Sequence, residues 1–288
     1  MPNLIPCLLL ATAAFMNSHV ERRALWVWHG QPLIQDNKER AKFYDFLAAP
    51  KGNSSARISV IFLSRVGIES PKEFKKIGNF IAQSHERGIR VDYLCGEAYY
   101  AAPERHKDGF WQLEYMLRYN RQVPAKSRFD GIQFDVEPYM LPKWPAPRLV
   151  HGYLSFLSGC KRRIEESRQP VQLGAAIPRW FDAKELNGLY RSVLDRVDYA
   201  AVMDYVDRAE AFVHDAKNTV AYASLKGKDA WLGAEATELP DEPMATFYKL
   251  GNARMEEAFR AASTAFFKQR GFAGVAIEYY ETYRALKP

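Results

Sequence analysis

The stretch Asp130-Gly131-Ile132-Gln133-Phe134-Asp135-Val136-Glu137-Pro138-Tyr139 decides how this chain is read. In an extended strand, successive side chains face opposite sides. Ile132, Phe134 and Val136 therefore make one apolar face, and Gln133, Asp135 and Glu137 make a polar one. The apolar face suits packing against helices, which turns the polar row toward an enclosed interior. Barrel interiors are normally filled by Val, Ile and Leu. A polar group buried there costs several kcal/mol unless it is hydrogen-bonded or charge-paired. Three in a row point to use rather than accident, and Glu137 falls at the carboxyl end of the strand, where barrels keep their reactive groups.

Working outward, seven further apolar runs of strand length surround this one. With Gly131–Glu137 they are Ala24–His29, Ile58–Ser64, Ile89–Cys95, Val171–Ile177, Tyr199–Tyr205, Ala230–Glu235 and Ala273–Glu278, recurring at roughly 30–40-residue intervals. Helical patterns lie between them. Pro71–Arg87 starts with proline after a capping Ser70 and stops at Gly88. Pro147–Arg168 and Met255–Arg270 carry apolar residues at helical spacing. Eight strands alternating with helices predict an α/β fold: a single (β/α)8 TIM barrel over residues 21–288, with no second domain. Gly96–Arg128 and Thr237–Gly251 are longer than a plain connection needs, and both follow strands, on the face where function gathers.

Composition sets the bounds. Of 288 residues, 48% are hydrophobic and 26% charged, an ordinary globular balance able to bury a large core. The net charge of +6 invites a search for a basic patch. The densest run, Lys161-Arg162-Arg163, is followed on the same helix by Glu165-Glu166, which reads as a solvated face and argues against nucleic acid. Cys7, Cys95 and Cys160 have neither zinc nor disulfide spacing, and Cys95 and Cys160 read as small apolar fillers. No His-x-x-x-His or comparable pattern occurs, so no metal or cofactor is predicted. Leu4 to Met16 is almost continuously apolar, too short to span a membrane, and contains a small-x-small cleavage site at Ala11-Thr12-Ala13. Residues 1–20 are thus expected to be a signal peptide or N-terminal extension, which implies a secreted or periplasmic protein, and otherwise a cytoplasmic one. No other segment reads as transmembrane, and a monomer is expected.

Two carboxylates two residues apart on one face repel each other, which raises the proton affinity of one and suits general acid chemistry. Asp135 is placed to do this for Glu137, whose pKa it is expected to raise. The run D-G-I-Q-F-D-V-E resembles the strand-four signature of family 18 chitinases and their relatives, D-G-x-D-x-D-x-E. The resemblance implies that Glu137 is the acid and that Asp135 positions the acetamido group of the substrate. The first Asp of that triplet, part of the family's proton relay, is Gln133 here. Met203-Asp204-Tyr205 is similar to the family's strand-six M-x-Y-D, whose Tyr holds the acetamido carbonyl. The residue after it is Val206 here, with Asp207 one place later. Overall the chain resembles barrel proteins grouped as glycoside hydrolases more than a standard chitinase. The resemblance therefore implies an oligo- or polysaccharide substrate.

Other strand ends also carry acids: Glu97, Glu235 and Glu278. In many retaining glycosidases the acid stands on strand four and the nucleophile on strand seven, a plan that Glu137 and Glu235 would fit. Each acid could equally be a salt bridge or loop anchor. Trp26, Trp28, Trp111, Tyr139, Trp144, Trp180 and Tyr205 are read as lying at or just after strands. Sugar rings stack on such groups, with one of Trp26 and Trp28 expected in the core and Trp144 favoured as a platform. His29 ends the first strand facing the bowl. The candidate catalytic set is Glu137, Asp135, Tyr205 and Glu235. The candidate substrate-binding set is Gln133, Trp28, His29, Glu97, Tyr139, Trp144, Asp204 and Glu278. The rival reading is a carbohydrate-binding barrel without turnover. Retention of Glu137 argues against it, and Gln133 argues for it.

Overall fold

Each apolar run becomes a strand in the computed structural model, which describes residues 22–288. The N-terminal apolar segment, the expected signal peptide and Cys7 lie outside the described residues. The strands are β1 (Arg23–Val27), β2 (Val60–Leu63), β3 (Arg90–Cys95), β4 (Gly131–Phe134), β5 (Gln172–Pro178), β6 (Tyr199–Met203), β7 (Asp229–Glu235) and β8 (Phe272–Glu278). They pair in parallel in sequence order, and β8 returns to β1 to close an eight-stranded barrel. The helices around it are α1 (Gly30–Gln35), α2 (Asn37–Ala48), α3 (Phe74–Glu86), α4 (His106–Gln122), α5 (Pro147–Ser167), α6 (Leu189–Leu194), α7 (Ala209–Lys226), α8 (Asn252–Phe266) and α9 (Tyr280–Ala285). None of the described helices is long and apolar enough to cross a membrane.

Several boundaries differ from the pattern reading, for local reasons. β4 stops at Phe134 rather than Glu137. Pro138 lacks an N–H and bars the preceding residue from helical geometry, so Glu137 caps a short turn over Pro138–Met140 instead. The backbone still holds Asp135, whose N–H donates to the Cys95 carbonyl at 2.9 Å. Pro71–Glu73 is a 3-10 turn, Ser70 makes no side-chain cap, and the α-helix begins at Phe74. Trp111 is no strand-end residue: it lies exposed in the middle of α4.

Alternation sorts the core into two layers. Leu25, Val27, Ile61, Ile132, Phe134, Val202 and Leu232 face outward against the helices. Trp26, Phe62, Leu94, Tyr199 and Trp231 face inward with alanines of β1, β6 and β8. The interior is thus more aromatic than the Val/Ile/Leu filling usual in barrels. Phe62 lies between Trp26, at 5.3 Å between ring centroids, and Tyr199, at 5.9 Å. Large rings fit only where a neighbour is small: a Cβ on Gly174 would stand 2.0 Å from the Tyr199 ring. At the amino end the interior is closed by a polar knot. The fully buried Asp92 accepts from Arg90 at 2.8 and 2.9 Å and from the Tyr199 hydroxyl at 2.7 Å. Cys95 and Cys160 are free, buried thiols in the outer layer.

Candidate active site

The polar row of β4 divides by depth. Gln133 is the lowest member. It is fully buried, and its side-chain oxygen accepts from the Trp26 indole at 2.7 Å. It therefore belongs to the interior and does not reach a substrate, a correction to its expected binding role. Trp26 is the member of the Trp26/Trp28 pair that packs in the core. Asp135 stands above Gln133. One of its oxygens, Oδ1, is sealed from solvent without a hydrogen-bond partner in the protein. Burial, and then the neighbouring Glu137 carboxylate, push its pKa up to about 7. Glu137 is half-buried and accepts a hydrogen bond from the Tyr139 hydroxyl. Burial first, and Glu137 second, raise the Tyr139 hydroxyl in turn.

β6, β7 and β8 complete the bowl. The hydroxyl of Tyr205 is pushed well above its ordinary value by burial and then by Glu278, Glu235, Asp135 and Glu137. Four carboxylates from three strands thus act on one phenol. Glu235 is 6% exposed, accepts from the Thr237 N–H at 2.6 Å, and is raised by burial against that hydrogen bond. Glu278 accepts from the Trp28 indole at 2.6 Å and is raised by burial, then by Glu235. A nearby charge counts for more in this poorly solvated space than in water, and Asp135, Glu235 and Glu278 are all held toward their protonated forms. The group is a store of protons as well as of negative charge.

The remaining expected residues fall elsewhere. Glu97 is exposed and lines a cleft beside the bowl, together with Trp28. His29 stands on the rim, half-exposed, with Nδ1 3.3 Å from Glu281. Trp144 is half-buried, stacked on Phe181 at 6.1 Å, and packed on the outer core, so one ring face is already covered. Asp204 is excluded from the bowl. It is fully buried, and the charges acting on it are Asp215 of α7, Arg179 and Asp182, which places it on the helix side of β6, away from Tyr205. Neither oxygen has a partner, and burial, reinforced by Asp215, raises its pKa to about 8. Trp180 stands immediately after β5, 39% exposed, with its ring 5.0 Å from that of Tyr139. It fits the platform role better than Trp144. Its place after a strand was visible in the sequence, but its open ring face was not. Among the described residues, no group of three His, Cys, Asp or Glu is arranged to hold a metal ion.

No family model matches the chain. No curated protein matches it by sequence. Solved structures do match. A family 18 chitinase from Pseudoalteromonas aurantia is 11% identical over 91% of this chain and 97% of its own, with a TM-score of 0.56. A chitinase from Bacteroides thetaiotaomicron is 14% identical over 91% and 90%, at 0.55. A family 18 N-acetylglucosaminidase from Paenibacillus barengoltzii is 12% identical over 91% and 96%, at 0.53. At such identities the likeness is one of architecture: this chain has the fold of the chitinase-like (β/α)8 barrels.

Proposed function

We propose that this barrel is a glycoside hydrolase and that Glu137 is its general acid. The observation that carries the reading is the convergence of Asp135, Glu137, Glu235 and Glu278 on the Tyr205 hydroxyl at the carboxyl ends of β4, β7 and β8. Barrel chemistry belongs at that end, and the cleavage of a glycosidic bond needs a proton donor beside a second, charge-stabilising carboxylate. Glu137 gives its proton to the glycosidic oxygen as the bond to the anomeric carbon breaks, and the bonding pair leaves with that oxygen. Tyr139 orients the Glu137 carboxyl from one side. Trp180 offers a ring face to the sugar, and Tyr205 offers its hydroxyl to the group on the reacting ring.

The anomeric carbon must then be satisfied. In the favoured route, an acetamido oxygen of the substrate attacks it, and ionised Asp135 accepts from the acetamido N–H as positive charge develops there. Asp135 suits this because it sits two residues from the acid on the same face and titrates near neutrality. In the second route, Glu235 attacks or activates water, as its strand-seven position allows. Replacing Glu235 with Ala separates the two: near-normal turnover leaves the acetamido route, and a large loss supports Glu235. The glycosidase reading itself is tested by product release from a panel of N-acetylated, neutral and acidic glycans. Glu137→Gln should lower turnover by about 10²–10⁴-fold without abolishing binding. Glycan binding without release by either protein would favour a lectin. We also propose export, with cleavage after the N-terminal apolar segment. N-terminal sequencing of the mature protein checks this, and an intact Met1 would refute it.

A further inference from the structure

We propose that Tyr153 is a positioning residue for Asp135, whose ionised carboxylate accepts a hydrogen bond from the Tyr153 hydroxyl through Oδ1. The proposal rests on the glycosidase reading and adds to it the group that holds the assisting aspartate. Asp135 Oδ1 and the Tyr153 hydroxyl are each sealed from solvent without a hydrogen-bond partner in the protein. A buried acceptor and a buried donor left unpaired are both costly, and the cost is greatest for an ionised carboxylate. Pairing the two removes both costs. It also divides the carboxylate: with Oδ1 sealed, a sugar reaches Asp135 through Oδ2.

The fold brings the two groups to one level. α5 runs back along β4, so its first turns lie beside the carboxyl end of the strand. Phe156 fixes the register, its ring 5.0 Å from that of Phe134, the last residue of β4. Tyr153 stands three residues earlier, roughly 4.5 Å further toward that end. Asp135 is the next residue after Phe134, roughly 3.3 Å on. Its charge reaches Cys95 and Tyr153 of the outer layer, and Tyr139, Tyr205 and Glu278 around the bowl, while Glu137 acts on it in return. No cation is in this set, so the ionised form must be held by neutral donors. Tyr139 is committed to Glu137, and Tyr205 is turned to the substrate in the proposed reaction. Gln133 Nε2 is also without a partner, but its amide is anchored a layer below, through its oxygen, to Trp26. Tyr153 remains. Phe181 holds its ring edge-on at 6.3 Å. Burial, and then Asp135, raise its hydroxyl above the ordinary value, so it keeps its proton and meets a carboxylate as a donor.

The test follows the Asp135 carboxyl by NMR of the full chain labelled with carbon-13 aspartate, its signal assigned by loss in Asp135→Asn. A hydroxyl that donates to the ionised form lowers a carboxyl pKa. Tyr153→Phe keeps the ring and removes the donor, so it should raise the Asp135 midpoint by about one to two pH units. A midpoint unmoved or lowered would overturn the assignment. A second measurement needs no Tyr153 variant. In wild type, the ring carbon bearing the Tyr153 hydroxyl should shift with the midpoint of Asp135 and lose that step in Asp135→Asn, and a flat trace in wild type also overturns the pairing. On a glycan that wild type hydrolyses, the rising limb of kcat/KM should move up in Tyr153→Phe together with the carboxyl signal. Hydrolysis with neither limb nor signal moved removes Tyr153 and leaves the glycosidase standing. A moved signal in a protein that hydrolyses no glycan does the reverse.

Discussion

Asp135 and Asp204 are both buried aspartates at strand ends, and their surroundings give them opposite consequences. Asp135 faces Glu137 in a space open to substrate, with a pKa near 7. If its ionised form is the one that assists, kcat/KM should rise with pH through about 7, and that limb should vanish in Asp135→Asn together with most turnover. A pH profile of the two proteins checks this. Asp204 faces α7 and touches no substrate. Its folded pKa is raised above the ordinary value of 3.8 to about 8, so between these limits the folded state holds a proton that the unfolded state has released. Stability must then fall as pH rises through that window, by roughly 1 kcal/mol per pH unit from this residue alone. Asp204→Asn should flatten the slope of urea-unfolding stability against pH across the same window. An unchanged slope would refute the assignment.

At the scale of elements, the position of the acid depends on how the ends of β3 and β4 meet. Gly96 lies against the Asp135 backbone so closely that an added Cβ would stand 1.9 Å from its carbonyl oxygen. Gly96→Ala must push the two strand ends apart. A shift of the Asp135–Glu137 segment by about an ångström should lower turnover by roughly 10²-fold, and overpacking should cost about 1–3 kcal/mol. Steady-state kinetics and Tm measured together read both effects, and a variant with wild-type kcat would refute the placement. The extent of β4 itself was only partly legible. Alternation gave its two faces correctly, but the ladder ends before Glu137 because Pro138 governs the backbone there.

At the scale of the whole molecule, the bowl rests on an aromatic interior. Phe62 is fully buried between Trp26 and Tyr199, and Trp26 in turn holds Gln133 beneath the carboxylates. Phe62→Ala should cost about 3–5 kcal/mol in chemical unfolding. A loss below 1 kcal/mol would show that this layer does not support the floor as described. Folding also reverses the message of net charge. The cations lie mainly on the outer surface, where Lys161 pairs with Asp198 at 2.6 Å and Arg163 lies over Phe110 at 3.6 Å. Asp135, Glu137, Glu235 and Glu278 gather at the strand ends instead.

The sequence by itself determined the barrel, because period-two and helical patterns are local and repeat along the chain. It also put Asp135 and Glu137 on the inward face, since parity along a strand fixes the side, and Glu235 and Glu278 at strand ends. Other features needed tertiary structure. That Gln133 is held by Trp26, 107 residues away, depends on contact across the barrel. Asp204 departs from the motif reading by parity itself, since it continues the outward side of Ala200 and Val202 while Tyr205 continues the inward side of Tyr199 and Ala201; only its buried neighbours on α7 needed the fold. The cleft beside the bowl joins loops after β2 and β3 to α4, and no local pattern records which loops will share a wall. Charge and burial at a site are sums over neighbours brought together only by folding, and here those sums decide which carboxylates keep their protons.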